Sequence, residues 1–276
     1  MQQDTENINS SDKSEMSFLG HLEALRWHLI RSVLAIAGFA IAAFVNKSFV
    51  FDTILLAPKN PNFPTYKLMC AISESICIHE IPFKLMNISM SGQFSTHIFV
   101  SAIAGFVAAF PYVFWEIWRF VKPGLHAKET KHAKGVVFFT SLLFISGILF
   151  GYFIVTPLAV NFLGSYQVSK EVMNQINLES YINIVAGITL ACGVVFELPI
   201  LTYFLTKVGI INPSFMRKYR KHSFVVALIL AAIITPTPDV LSQILVAIPL
   251  IVRYEVSILV SSRVERKERK FENEAI

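Results

Sequence analysis

Long apolar runs separated by short charged clusters set the rhythm of this chain. Val33 to Val45 is uninterrupted, and Leu29 and Ile30 extend it to the length of a membrane span. Ile98 to Trp115 is broken only by small residues, one proline and aromatic rings, and it ends where Glu116, Arg119 and Lys122 begin. Val136 to Val155 carries no charge, and Ile182 to Leu205 carries one ionisable residue, Glu197. A run of about 17 to 25 apolar residues suits a membrane helix, the only open-ended element that satisfies its own backbone in hydrocarbon.

The last apolar stretch, Phe224 to Val252, is interrupted by Thr235-Pro236-Thr237-Pro238-Asp239. Two prolines that close cannot continue a helix, so two short helices joined by a tight turn are predicted. At 1.5 Å per residue, about 15 residues reach only about 22 Å, less than a hydrocarbon core of about 30 Å. The pattern therefore predicts an all-α integral membrane protein with six transmembrane helices, both termini cytoplasmic and the last two helices short. The spans fall at about 29–47, 94–118, 135–156, 181–205, 223–235 and 239–254. Residues 1–20 read as a disordered cytoplasmic tail, 21–256 as the membrane domain with an external cap loop at 50–92, and 257–276 as a charged cytoplasmic tail.

Orientation follows from basic residues, which stay cytoplasmic near span ends. Arg26 to Arg31, Lys122 to Lys134, Lys207 to Lys221 and Arg263 to Lys270 are densely basic, whereas Thr156 to Ser180 has one lysine. Their alternation predicts an N-in, C-in chain. Trp27, Trp115 and Trp118 then fall at cytoplasmic span edges as interfacial anchors.

Composition narrows the class further. The 276 residues are 54% apolar and only 16% charged, whereas a soluble domain carries about a quarter charged residues. That nearly excludes a soluble enzyme, and the formal charge of +5 reflects topology rather than nucleic-acid binding. The seven His are scattered without ligand spacing, so neither a metal nor another cofactor is expected. Cys70 and Cys77 lie in the external cap and form a candidate disulfide, with two free thiols as the alternative; Cys192 reads as a packing residue.

Three acids stand out. Glu197, in Phe196-Glu197-Leu198-Pro199, is the one acid in a long span, and such residues mark a pathway or a binding surface. Glu23 and Glu129 stand among cytoplasmic basic residues. A solvated ion pair there is worth only about 0 to 1 kcal/mol, but a carboxylate is also the natural bidentate receptor for a guanidinium.

Several motifs are similar to one family in the right order. His21-Leu22-Glu23-Ala24-Leu25-Arg26 resembles the N-terminal signature of the TatC family, the multispanning subunit of the twin-arginine protein translocase. Phe110-Pro111, then Trp118 to Leu125 and Glu129, resemble its second span and first cytoplasmic loop. Phe196 to Pro199 resembles its fourth-span motif, and Thr237 to Gln243 with Ala247-Ile248-Pro249 and Tyr254-Glu255 its final hairpin.

The resemblance implies a non-enzymatic receptor for twin-arginine signal peptides of folded cargo in the bacterial cytoplasmic (inner) membrane. It also implies an oligomeric complex in lipid with single-span TatA- and TatB-like subunits, driven by the proton-motive force. Glu129 maps onto the loop carboxylate of the family's peptide site. The N-terminal carboxylate falls at Ala24, so Glu23 is the neighbouring candidate. Phe120, Pro123 and Leu125 would support the loop, and Glu197 with Gln243 would form an intramembrane patch for a partner or the apolar part of the peptide. Pro58, Asp239 and Glu255 are structural or functional loop positions. The residues leave a different class open, a proton-coupled secondary transporter of a small solute using Glu197. A membrane hydrolase is disfavoured, since no nucleophile-base or HExxH spacing occurs.

Overall fold

The computed structural model describes residues 18–74, 77–78, 83–121, 133–169, 171–172, 174–207, 210–235 and 240–275. Helix α1 (Phe18–Val45) and helix α3 (Gly92–Val121) form an extensive antiparallel pair. The two backbones touch at Gly105, where a Cβ would lie 2.6 Å from the Ala40 amide nitrogen and 2.7 Å from the Ile36 carbonyl oxygen. Small residues at such crossings replace the hydrophobic driving force that lipid does not supply.

Between them lies the cap: a π-helical turn (Phe49–Leu55), a 3-10 turn (Ala57–Lys59), α2 (Pro64–Ile72) and strand β1 (Lys84–Met86). Pro64 opens α2 at a position where its missing N–H costs nothing. Fully buried Tyr66 donates from its hydroxyl to the Pro58 and Pro157 carbonyls, 2.9 Å each, which pins the cap to the bundle. Burial pushes the Tyr66 phenol well above its ordinary pKa.

Helix α4 (Ala133–Phe150) continues through a π turn (Gly151–Val155) into α5 (Thr156–Ser165). Strand β2 (Gln175–Asn177) pairs in parallel with β1, Leu85 opposite Ile176. Asn177 then caps α6 (Leu178–Val195), which is followed by α7 (Leu198–Lys207). Helices α8 (Pro213–Lys218), α9 (Arg220–Ile234) and α10 (Val240–Ala275) complete the order. The core between them is built from Val155, Ile188 and Cys192 packed against Ala227 and Ala231 of α9 and Val246 and Leu250 of α10.

Among the described residues, five stretches are long and apolar enough to cross a membrane: Glu23–Val45, Gly92–Val121, Gly135–Ser165, Leu178–Thr206 and Gln243–Arg263. Their outward faces are apolar, as at Val33, Leu34 and Ile41, each more than half exposed. Lipid is the solvent that tolerates such surface, and the chain is a multi-pass membrane protein.

Four expectations change. Helix α9 is short at 15 residues, but α10 runs for 36 residues, so only one of the last two helices is short. The predicted tail from residue 257 is a continuation of α10, because Glu, Lys and Arg are strong helix formers. The β1–β2 pair is an addition to the all-α reading, three residues on each side. Trp118 is buried against Phe204, ring centroids 5.2 Å apart, whereas Trp27 and Trp115 remain exposed.

Candidate functional site

The Trp118–Phe204 contact sets the end of α3 beside α7, the Thr206–Ser261 hydrogen bond of 2.8 Å sets the end of α7 beside α10, and the start of α1 meets the end of α3 at this basic end of the bundle. There the last turns of α3 carry a buried carboxylate, Glu116, only 1% exposed. His28 of α1 meets it through Nδ1 at 2.5 Å from Oε2, and Arg119 Nη1 lies 3.5 Å from Oε1. Tyr112, one turn earlier, also hydrogen-bonds Glu116. Three donors thus compensate a charge whose burial alone would be costly.

Aromatic rings flank the cluster. Phe120 meets His28 edge-on at 6.2 Å, and the Arg119 guanidinium stacks 4.8 Å from the Trp115 ring. Of the residues expected from sequence, Phe120 is therefore in this cluster. Glu23 is exposed on α1. Five residues before His28 it lies about 140° around the helix from it, so it faces away from Glu116. Glu129, Pro123, Leu125 and Asp239 lie outside the described residues.

Sequence reasoning missed His28 and Glu116. Read singly, one is a scattered histidine and the other a charge ending an apolar run. The available signal was positional, since Ala24 and His28 share a face of α1 at i, i+4, and Glu116 and Arg119 share one of α3 at i, i+3.

A second polar centre lies inside the bundle. Both carboxylate oxygens of Glu197 are buried and without a hydrogen-bond partner among the described residues. Arg253 of α10 acts on it electrostatically. That guanidinium stacks 4.2 Å over the Phe196 ring and donates to Ser146 Oγ at 3.3 Å. Gln243 is ten residues earlier on α10, about 15 Å along the helix, and its amide donates to the Leu228 carbonyl at 3.3 Å. Among the described residues of α10, Arg253 is thus the charged residue that acts on Glu197, and Gln243 lies nearer the start of the helix.

The remaining candidates have structural surroundings. Pro58 is buried under Tyr66. Glu255 accepts from Arg220 and ties α10 to the start of α9. Cys70 and Cys77 are joined by a disulfide that closes the end of α2.

Comparison with known proteins agrees in extent and kind. Residues 20–249 match the family model described as Sec-independent protein translocase protein (TatC). A Sec-independent protein translocase protein TatC from Blattabacterium sp. subsp. Periplaneta americana (strain BPLAN) is 38% identical, over 94% of this chain and 99% of that protein. Its counterpart from Carboxydothermus hydrogenoformans is 36% identical over 92% and 96%. A crystal structure described as the twin arginine translocase receptor TatC aligns with a TM-score of 0.67 and 32% identity, covering 89% of this chain and 99% of that one. A second such structure, in DDM, gives 0.69 and 33% over 87% and 99%. Sequence, span pattern and fold agree over nearly the whole chain, which belongs to the TatC family of the Sec-independent protein translocase.

Proposed function

We propose that this chain is the twin-arginine signal-peptide receptor of its translocase, with the basic end in the cytoplasm of a bacterial cell, both termini inside and six spans, α9 serving as the fifth. The observation that carries the reading is the family membership together with a carboxylate, Glu129, that stands among lysines in the sequence following α3. Two crystal structures similar to this chain are described as twin arginine translocase receptors. Glu129 and Glu23 receive the two guanidinium groups, supported by Phe120, Pro123 and Leu125. A carboxylate accepts the planar guanidinium fork in a way that it cannot accept a lysine ammonium.

The intramembrane centre at Glu197 takes the apolar part of the peptide or a single-span TatA- or TatB-like helix, with Gln243 contributing nearer the short hairpin. Transport needs no covalent chemistry by this chain and draws on the proton-motive force. Helix α9 rises only about 22 Å, against a hydrocarbon core of about 30 Å, and local thinning there lowers the barrier to a folded cargo.

The test is equilibrium binding of a labelled twin-arginine signal peptide to the full chain in proteoliposomes, against a twin-lysine peptide. The receptor reading expects about tenfold or greater preference for arginine, the worth of a lost charge-assisted pair. Equal affinity for both peptides overturns it. Solute uptake by the chain alone would favour transport through Glu197 instead.

A further inference from the structure

The cluster around Glu116 has the parts of a guanidinium site. Its floor is a carboxylate 1% exposed, and its flanks are the Phe120 and Trp115 rings, which carry His28 edge-on and Arg119 face-on. A buried carboxylate between aromatic faces is the arrangement that selects a flat, delocalised cation over an ammonium. We infer that Glu116 is a guanidinium acceptor for the signal peptide, occupied at rest by His28; this rests on the twin-arginine reading above.

The resting partners suit displacement. The side chain of His28 is 17% exposed and that of Arg119 is 45% exposed, so both side chains reach solvent while the carboxylate does not. Arg119 already leans on Trp115 and holds Glu116 at 3.5 Å, the long limit of a hydrogen bond, so it does not make the two-pronged contact that a guanidinium can make. Imidazole offers one N–H to the carboxylate here, through Nδ1. An incoming arginine offers two parallel ones and keeps its charge at every physiological pH. Exchange of His28 for the ligand therefore gains a hydrogen bond without opening the core.

Position supports the same role. Ala24 lies one turn before His28 on the same face of α1, so that face bears no carboxylate of its own, and exposed Glu23 points elsewhere. Glu116 supplies the negative charge to that face from α3. Glu23 receives the peptide at the surface, where single ion pairs are weak, and Glu116 adds a buried acceptor at the same end of the bundle.

Two variants of the full chain in proteoliposomes, checked for an unchanged thermal unfolding midpoint, test this with twin-arginine and twin-lysine peptides. Glu116→Gln keeps the shape and some hydrogen bonds but removes the charge, and is expected to lower twin-arginine affinity about tenfold with little effect on twin-lysine. His28→Arg keeps a donor from α1 on Glu116 but fills the acceptor from within, and is expected to lower twin-arginine affinity by a similar factor. Wild-type affinity in either variant would overturn the inference, and for His28→Arg it would make the pair a clamp between helices only. If both variants bind like the wild type while the wild type prefers arginine, the receptor reading stands and Glu116 is not part of the site. If the wild type shows no preference, the reading and this inference fall together.

Discussion

Export of twin-arginine cargo is expected to fall about tenfold or more when Glu129 is replaced by Ala. The carboxylate stands in Lys128-Glu129-Thr130-Lys131, so the substitution leaves a purely basic segment facing a peptide that carries two arginines. The loss therefore has two parts. A charge-assisted hydrogen bond to a guanidinium is worth about 1.5–3 kcal/mol, which corresponds to about 10- to 150-fold in affinity. Like charges that were balanced now repel the ligand, and this part weakens as salt is added. Glu129→Gln separates the two, since it keeps an acceptor and removes the charge. Glu23→Ala is expected to cost less, because an exposed partner on α1 is solvated before binding and its pair is worth about 0–1 kcal/mol. The measurement is export of a reporter with a twin-arginine leader, alongside the abundance of each variant in the membrane. Undiminished export by Glu129→Ala at normal abundance would contradict the account.

Arg253→Leu is expected to be the most destabilising single change among those considered, at about 3 kcal/mol or more. Glu197 has two buried oxygens without a hydrogen-bond partner among the described residues, and Arg253 is the cation that acts on it. Removing that cation leaves a carboxylate facing apolar surroundings, while Phe196 loses the guanidinium stacked on it at 4.2 Å. Removing both charges together, as Glu197→Leu with Arg253→Leu, is expected to restore most of the stability. Two opposite charges in one buried region are often replaceable together by apolar residues at little cost, whereas removing one leaves the other uncompensated. The double variant then reads out function apart from folding: it should be present in the membrane at normal abundance yet fail in export. Thermal unfolding in detergent and reporter export check the two halves. Equal stability of Arg253→Leu and wild type would mean that water already solvates Glu197. Full export by the double variant would mean that the pair only holds helices together.

Much of the architecture was legible because lipid imposes strong rules on sequence. Charge-free Val136 to Val155 could only be a span, and it became α4 and its π turn. The prolines between Ile234 and Val240 divided α9 from α10 as expected. The length of α10 was not legible from hydropathy, since its charged last third stays helical by propensity while leaving the apolar pattern. The β1–β2 pair was hidden for another reason, since three residues of strand give no detectable period of two. The candidate site divided along similar lines. Phe120 was named from its neighbours in sequence, but His28 and Glu116 are 88 residues apart, and only the close packing of α1 on α3 at Gly105 brings their ends together. Arg253 follows directly on the apolar stretch that ends at Val252, and its effect on Glu197 depends on α10 lying against α7. Tertiary pairing of charges is the part that a single sequence conceals.

Photocrosslinking tests the central claim most directly. A twin-arginine signal peptide carrying a photoreactive residue beside its arginine pair is bound to the full chain in membranes, irradiated, and the product mapped by mass spectrometry. Adducts are expected in the segment that follows α3, around Glu129, and at the adjoining ends of α1 and α3. They are expected to be lost with a twin-lysine peptide. Adducts of equal yield from both peptides, or adducts confined to the cap formed by residues 49–86, would contradict it.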